Sequence, residues 1–537
     1  MKKKLLALVL VLTLVISALA ACGGGGDADG GGADGDAATT LVVAMEGAGL
    51  ETFDPGNVYE TYASPVMNLC YDNLFNFVGD DPNVQPILVE SYQFSEDAKT
   101  LTCVLKPDLK FASGNPLTSA DVAFSINRCK NLKGNPSFIT DTIESIETPD
   151  ERTVVFHLTE PDSAFISKLT YKSMAILDSE AAKEQGATDA ADAAETDTAR
   201  NYLDNTSLGS GPFVLEKYTP NEEIVLVRNE NYWGEPSDFE RVVFKLQSDA
   251  NTQMMTLTQG DVDIALNLTD DTVAQLDGAE NVAVVNKPSM TVCFVMFNMD
   301  PEIGGPMANK DVQQAVRLCL DYQGIQQIVG EGTVTPYSFL QDGFMGSKGT
   351  RDVSYTDIEA AKQKLADAGY PDGFDVELTV CDLSFTGTAL TDVAQKVKDD
   401  LAKIGINVTI VQQPWAAGFG DAYRAGEVPF TVMYWNIDYF DPNVQLEFLP
   451  GKLVGLRAKW TEDMDPEIAA LIKDCMAETD DAKRAEILGK LQDMTYENGP
   501  FIFVAQGPCH YGYNTRLTGV TFSAPHVIDL TQVKLAE

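Results

Sequence analysis

Short runs of alternating apolar and polar residues recur along the chain, separated by longer stretches with helical spacing. Such alternation is typical of strands that bury one face. The clearest runs are Thr100–Leu105, Arg152–Leu158, Ile224–Val227 and Arg241–Leu246. Together the two patterns predict a mixed α/β chain and exclude a helical bundle or a β-sandwich.

Two segments show the order strand, helix, strand. After the run that ends at Leu246, the spacing predicts a helix over about Ala250–Gln259, with Gly260 as its stop, and a strand at Val262–Leu266. In the second segment Gly405 ends a helix and a strand follows at Asn407–Val411. The apolar face of that helix consists of Leu390, Val393, Ala394, Val397 and Leu401. This order predicts parallel strands.

Polar residues mark the starts of two further helices. Thr118 with Asp121 fits a capping box, in which the side chains of the first and fourth residues bond each other's backbone N–H groups. Thr356 with Glu359 fits a second box, placed before a helix over Ala360–Ala368. Both are signals of the scaffold and carry no chemistry of their own.

The first residues predict export and a lipid anchor. Three lysines precede an apolar run over Leu5–Ile16, which is shorter than the roughly 20 residues of a spanning helix, so residues 1–22 fit a signal peptide. Leu19-Ala20-Ala21-Cys22 resembles a bacterial lipobox, whose cysteine receives the lipid. The alternative is an ordinary secreted protein with a cysteine at its cleavage point. Residues 23–40 lack large apolar side chains and predict a flexible tether.

The charge of the chain restricts its partners. The formal net charge is −42, and removal of Lys2, Lys3 and Lys4 with the signal makes it −45. Such a surface repels the phosphate backbone of nucleic acids, which are therefore excluded as partners. Acidity alone does not identify a solute.

The cysteines and histidines point to structural roles. Eight cysteines follow Cys22 without any C-x-x-C pair, and we expect most of them to be small buried hydrophobes; their pairing stays open. The three histidines, His157, His510 and His526, have no spacing typical of metal ligands, and no G-x-S-x-G or H-E-x-x-H motif is present. We therefore expect no enzymatic activity, no cofactor and no protein-held metal ion.

Several segments, read in chain order, are similar to the family 5 solute-binding proteins of ABC importers, whose members serve dipeptide, oligopeptide, nickel-chelate and some sugar importers. The similarity spans roughly residues 41–530. It rests on Phe53-Asp54-Pro55, Pro86–Ser91, Ser95-Glu96-Asp97, Pro116-Leu117-Thr118, Asp121-Val122, Gly209–Phe213, Asn231–Gly234, Gly260–Asp263, Ala368-Gly369-Tyr370, Ile404-Gly405-Ile406, Trp435, Asp438, Asp441-Pro442 and Gly499-Pro500.

The resemblance implies an α/β, bilobed periplasmic-binding-protein fold (class II, cluster C) with an extra domain and mixed sheets flanked by helices. The chain would cross between the lobes twice and enclose solute as a hinge closes. Lobe I would comprise residues 41–82, 205–295 and 500–537. The extra domain of lobe I would cover 83–204, and lobe II 296–499.

The same resemblance implies the partners and the location. The protein would be a monomer that captures peptides, with oligopeptides favoured, and delivers them to the transmembrane subunits of an ABC permease. It would act outside the cytoplasm, held to the outer face of the cell membrane, or in the periplasm, by the lipid on Cys22. A nickel or other metal chelate and a sugar are the alternative solutes, and a chemosensory receptor is the alternative role.

The candidate ligand contacts cluster after an apolar strand, Pro429–Met433. In peptide-binding members of the family, the aspartate three residues after the tryptophan of this segment pairs with the α-ammonium of the peptide, and Asp438 occupies that place after Trp435. The alternative is that Asp438 only caps a turn or accepts backbone N–H bonds. Tyr434, Trp435 and Trp415 are candidates for stacking on the ligand or for packing the lobes. Further candidates are Asp441, for which a turn role is the favoured alternative, and Glu51 and Thr52, which fall where relatives bind the peptide backbone.

One departure from the family bears on the size of the solute. Dipeptide-binding relatives carry an arginine for the ligand carboxylate in the loop that corresponds to Asp382–Thr388, and this chain has none there. A pocket restricted to dipeptides is therefore disfavoured, whereas longer peptides and other amine-bearing solutes stay compatible.

Overall fold

The longest strands of the protein form its central sheet. In the computed structural model, which describes residues 39–47, 50–59, 61–354 and 356–536, this sheet has eight strands. Their order is Phe430–Trp435, Val282–Phe297, Phe501–Asn514, Ile264–Ala265, Thr40–Met45, Arg241–Leu246, Glu223–Arg228 and Phe213–Thr219. The predicted signal peptide, Cys22 and nearly all of the tether lie outside the described residues. The chain from Leu41 onward is one compact unit.

Two strands of this sheet are much longer than the others. Val282–Phe297 and Phe501–Asn514 pair in antiparallel fashion from Val282 opposite Asn514 to Met296 opposite Phe501. The register shifts between Pro288 and Val292 and again between Cys293 and Phe294. An irregularity of this kind bends a strand and increases its local twist.

Three large hydrophobic cores surround the sheet. The first is built mainly from residues 41–71, 175–266 and 511–533, and the second from residues 74–176. The third spans residues 290–505 and includes the fully buried run from Val292 to Phe297. The two long strands contribute side chains to the third core at one end and reach the first core at the other. The domain boundaries expected from the sequence stay a prediction.

The second core contains a separate antiparallel sheet. Its four strands have the order Val89–Phe94, Thr100–Leu105, Thr153–Leu158 and Ile143–Asp150. In the third core Phe374–Val380 and Ile406–Gln412 pair in parallel. Short antiparallel pairs complete the strands: Phe75–Asn76 with Gln85–Pro86, Ser384–Phe385 with Thr388–Ala389, Leu517–Thr518 with Lys534–Leu535, and Phe522–Ser523 with Val527–Ile528.

Helices cover the sheets and supply the connections. Within the described ranges they are Ser64–Cys70, Ser119–Leu132, Phe165–Lys168, Ser179–Glu184, Ala193–Thr196, Arg200–Leu203, Ala250–Gln259, Asp270–Gln275, Pro301–Gly304, Lys310–Cys319, Tyr322–Val329, Ile358–Asp367, Leu390–Ala402, Phe419–Ala425, Leu453–Arg457, Pro466–Ala477 and Asp481–Asn498. None of those described is long and apolar enough to cross a membrane.

Most of the predicted elements are confirmed. The strands Thr100–Leu105 and Arg241–Leu246 and the helix Ala250–Gln259 have the predicted bounds. Gly260 follows that helix with φ 81°, a left-handed conformation that glycine adopts without steric cost. The helix with the five-residue apolar face is Leu390–Ala402, and the parallel pairing of the strand after it is also confirmed.

One of the two predicted capping boxes is wrong. Thr118 donates its backbone N–H to Asp121 at 2.8 Å, as expected. The other helix begins one position later than the box requires, because the Asp357 carboxylate accepts from the backbone N–H of Ala360 at 2.9 Å. An aspartate is as good an N-cap as a threonine, so the pattern alone could not choose between neighbouring candidates.

The cysteines and histidines occupy structural positions. All eight cysteines from Cys70 to Cys509 are free thiols, and seven of them are buried, which confirms the prediction of small core residues. The ring of His510 lies 2.6 Å from Asp270, and His526 contacts Asn76 at 2.8 Å. His157 lies on the strand Thr153–Leu158, as the sequence indicated.

Candidate ligand-binding site

A cavity of about 790 Å³ lies where residues of the second core face residues of the third. This volume is in the usual range for a ligand pocket in a protein. Its apolar and aromatic lining comes from Tyr59, Phe138, Leu383, Trp415, Tyr423, Met433, Tyr434, Trp435, Tyr439, Val444, Leu453 and Met476. Its charged lining consists of Asp141, Lys168, Arg424, Asp438, Glu447 and Arg457. A largely apolar wall with a few charged groups can fix the orientation of an amphipathic solute.

The edge strand of the central sheet positions the loop that carries Asp438. Phe430–Trp435 pairs with Val282–Phe297 up to Trp435 opposite Val292, where the ladder ends. The loop after it ends at Asp441, whose carboxylate accepts from the backbone N–H of Asn443 at 2.8 Å and begins a 3₁₀ helix, Pro442–Phe448. Asp438 is thus held between a sheet edge and a capped helix.

Asp438 is a carboxylate with a hydrogen-bond donor but no ion-pair partner among the described residues. The Tyr59 hydroxyl donates to its Oδ1 at 2.7 Å. Burial raises the pKa of Asp438 to about 6, although the Tyr59 hydrogen bond and the charge of Lys172 act in the opposite direction. Since burial destabilises the ionised form of Asp438, a cationic group that entered the cavity would stabilise it.

Two predicted tryptophans and the predicted tyrosine also line the cavity. Trp435 packs edge-on against Phe448 at 5.8 Å between ring centroids, and its buried Nε1 has no hydrogen-bond acceptor among the described residues. Tyr434 lies beside Phe385 at 6.3 Å. The backbone N–H of Trp415 is held by Asp382 at 2.8 Å. The structure therefore brings Asp438, Trp435, Tyr434 and Trp415 together around one cavity.

The other three predicted contacts lie outside this lining. Both carboxylate oxygens of Asp441 accept from Arg484, with Nη1 at 3.0 Å from Oδ2, so this side chain is committed to the fold. The Thr52 hydroxyl donates to Asp204 and accepts from the backbone N–H of Asp54 at 3.1 Å. Glu51 is exposed. For Asp441 the structure supports the turn role that was the favoured alternative.

Several cavity residues carried no recognisable signal in the sequence. Tyr59 and Asp438 are separated by 379 positions, and Glu447 and Arg457 belong to a 3₁₀ helix and a short α-helix. Their side chains converge only because the second and third cores face each other. Among the described residues, no cluster of three or more His, Cys, Asp or Glu side chains that could hold a metal ion is found.

The charged lining residues differ in how far the protein neutralises them. The Lys168 ammonium pairs with Asp162 at 2.6 Å, and Arg424 pairs with Asp421 at 2.8 Å. The Glu447 carboxylate accepts from the backbone N–H of Leu453 at 2.9 Å. Within the described part of the chain, Arg457 forms no ion pair, and its guanidinium lies over the rings of Tyr423 and Trp435.

Two facing groups of side chains line a solute-sized cavity, and two long strands connect the first core to the third. These are the features of a binding protein. Residues 83–452 match the model of the bacterial extracellular solute-binding proteins, family 5. The chain belongs to this family. Its members bind substrates rather than convert them, and they act outside the cytoplasm. The fold is the bilobed α/β periplasmic-binding-protein fold with an extra domain, as predicted.

Individual relatives are distant but cover most of the chain. The probable D,D-dipeptide-binding periplasmic protein DdpA of Escherichia coli is 24% identical, covering 90% of this chain and 92% of its own length. Heme-binding protein A of Haemophilus influenzae is 26% identical over 81% of each chain. The solved structure of HbpA2 from Haemophilus parasuis superposes with a TM-score of 0.81, at 23% identity, over 93% of this chain and 100% of that one. This last similarity establishes the fold alone.

Proposed function

We propose that this protein is an extracytoplasmic lipoprotein that captures peptides and delivers them to an ABC importer. The observation that carries the proposal is Asp438, a carboxylate without a cationic partner among the described residues, at the wall of an aromatic cavity. A peptide has one α-ammonium group and apolar side chains, which match the charge and the lining of this cavity. Oligopeptides are favoured over dipeptides, because residues 382–388 contain no arginine for a nearby carboxylate.

Capture is proposed to occur by closure of a hinge in the two long strands. Val282–Phe297 and Phe501–Asn514 run from the first core to the third and shift register between Pro288 and Val292. Trp435 packs against the third core, while Tyr59 and Phe138 pack against the second. A ligand that contacts both sides would favour the closed state over the open one.

Peptide binding can be tested directly on residues 41–537, the unit that is compact by itself. We expect isothermal titration of the ligand-stripped protein with mixed di- to hexapeptides to give saturable binding. N-acetylation of the same peptides should abolish it, because the ammonium group is then lost. Ni(L-His)₂, heme and simple sugars serve as the comparison solutes. If one of these solutes bound saturably and no peptide bound, the proposed solute class would be wrong.

A lipid on Cys22 is proposed to hold the protein at the membrane. The support is the lipobox-like Leu19-Ala20-Ala21-Cys22, which is followed by a stretch without large apolar side chains. A tethered binding protein stays near its permease, which raises the local concentration of captured solute.

For the full-length chain, we expect Cys22→Ser to move the protein from the detergent phase to the aqueous phase on phase separation with Triton X-114. The matched control is Cys509→Ser, which leaves the lipid-accepting cysteine in place and changes only a partly buried thiol. Metabolic labelling with a radioactive fatty acid should report the same loss. Equal partitioning of the wild type and the Cys22→Ser variant would contradict the anchor.

A further inference from the structure

Arg457 stands apart from the other cations of the cavity. Lys168 and Arg424 each have a carboxylate within ion-pair distance, at 2.6 Å and 2.8 Å, whereas Arg457 has none among the described residues. Its guanidinium carbon lies 4.9 Å from the ring centroid of Tyr423 and 5.5 Å from that of Trp435. The helix Leu453–Arg457 ends at this residue, so the side chain is supplied by a short, fixed element.

Two N–H donors in this stacked group have no acceptor in the part of the chain that the structure describes. The Nε of Arg457 and the Nε1 of Trp435 are both buried and unpaired within the described part of the chain. A buried donor without an acceptor is costly, since it has lost its hydrogen bonds to water without replacement. Both residues line the cavity, so an anionic group bound there could accept from both and pair with the guanidinium charge.

The Asp438 carboxylate and this cation belong to the same cavity. The guanidinium of Arg457 lies over the ring of Trp435, which is three residues before Asp438 in the chain. The site therefore presents an anion and a cation that are close in space and are not paired with each other within 4 Å. A solute that carries both charges, such as a peptide with free termini, would complement them together.

We infer that Arg457, together with the indole N–H of Trp435, binds the carboxylate of a zwitterionic peptide whose ammonium group binds Asp438. This inference rests on the proposed function and narrows it to peptides that have a free carboxylate and whose length spans the distance between Asp438 and Arg457. It also places the binding site for the peptide carboxylate outside the loop at residues 382–388, where dipeptide-binding relatives carry their arginine. Arg457 then determines which peptides bind and how long they are, because the peptide must span the distance between Asp438 and Arg457.

The test compares each peptide length as the free acid and as the C-terminal amide, using residues 41–537 and isothermal titration. We expect the wild type to bind the free acid at least about tenfold more tightly at the preferred length, as one charge-assisted contact allows. In Arg457→Met this preference should fall to about twofold or less, because the variant should bind the acid more weakly and the amide about as tightly as the wild type does. Arg457→Lys, which keeps the charge and loses the planar fork, should retain part of the preference.

Arg351→Met is the matched control. The guanidinium carbon of Arg351 also lies over aromatic rings, 4.4 Å from the ring centroid of Tyr322 and 4.7 Å from that of Tyr496, but this residue does not line the cavity. We expect the acid-to-amide ratio in this variant to equal that of the wild type.

Three results would overturn the inference, and they separate it from the proposed function. The first is equal affinity of the wild type for the acid and the amide, which is measured without any variant. It would exclude the proposed role of Arg457 and leave peptide binding intact. Equal weakening of both peptide forms in Arg457→Met would mean that the side chain only packs the aromatic rings. Absence of any peptide binding by the wild type would remove the proposed function and the inference with it.

Discussion

Replacing Asp438 with asparagine is expected to weaken peptide binding by roughly 30-fold to several thousand-fold, the loss that follows when a buried ion pair loses one partner (about 2 to 5 kcal/mol). In the wild type the ligand ammonium would pair with the Asp438 carboxylate, whose other partner is the Tyr59 hydroxyl at 2.7 Å. Asparagine keeps the shape and removes the charge. Isothermal titration of the variant with the peptides that bind the wild type measures the loss.

The matched control for this experiment is Asp141→Asn. Asp141 also lines the cavity, but it is exposed, so solvent screens its charge. We expect its affinity to stay within about threefold of the wild type, as exposed charges contribute little. Similar losses in the two variants would show that the general negative potential of the cavity matters and that no ammonium group is anchored at Asp438.

The same anchor predicts how binding depends on pH. Burial raises the pKa of Asp438 to about 6, so a proton competes with the ligand ammonium below that pH. Affinity should therefore be highest at about pH 7 and fall as the pH drops through about 6; above about pH 8 it should fall again, because the peptide ammonium then loses its proton. In Asp438→Asn the residual affinity should lack this step. A wild-type affinity that does not change between pH 5 and pH 7.5 would contradict the assignment.

The largest expected effect on stability comes from Arg128→Met, which should lower the free energy of unfolding by about 3 to 5 kcal/mol. The guanidinium of Arg128 is fully buried and binds two carboxylates in bidentate fashion, Asp54 at 2.6 and 2.8 Å and Asp197 at 2.7 and 3.0 Å. Methionine fills a similar space but leaves both carboxylates unpaired. Urea unfolding followed by circular dichroism measures the change for residues 41–537.

Arg241→Met is the control for this prediction. Arg241 pairs with Glu216 at 2.7 Å, but both side chains are more than 40% exposed, so its loss should cost less than about 1 kcal/mol. The deficit of Arg128→Met should also shrink as the pH falls, because protonation neutralises the unpaired buried carboxylates. Comparable losses in both arginine variants, or a deficit that grows on acidification, would show that the buried network is not the cause.

This ion network also matters for the site. Besides Arg128, the Asp54 carboxylate accepts from the backbone N–H of Gly56 at 3.0 Å and from the side chain of Asn57 at 2.8 Å, and thereby fixes the turn before Tyr59. A Cβ at Gly56 would lie 2.7 Å from Arg128 Nη1, so glycine is needed there. Since Tyr59 is the hydrogen-bond donor to Asp438, a change at Arg128 should alter the position of Asp438 through this turn.

The sequence by itself determined the local elements and singled out one segment of the candidate site. Alternation and helical spacing place strands such as Thr100–Leu105 and helices such as Ala250–Gln259 correctly, because these patterns report which face of an element is buried. The segment Tyr434–Asp438 could be singled out because its aromatics and its carboxylate follow one another in the chain and resemble a family motif.

Only the tertiary structure decided which residues complete the site. Tyr59 reaches Asp438 across 379 positions, and Arg457 reaches Trp435 from a helix of five residues that has no motif. The tertiary structure also shows that Asp441 binds Arg484 and that Thr52 binds Asp204, so neither side chain lines the cavity. The local pattern specifies which face of an element is buried. Contacts between residues that are distant in sequence depend on how separate cores pack against each other, and short-range spacing does not encode that packing.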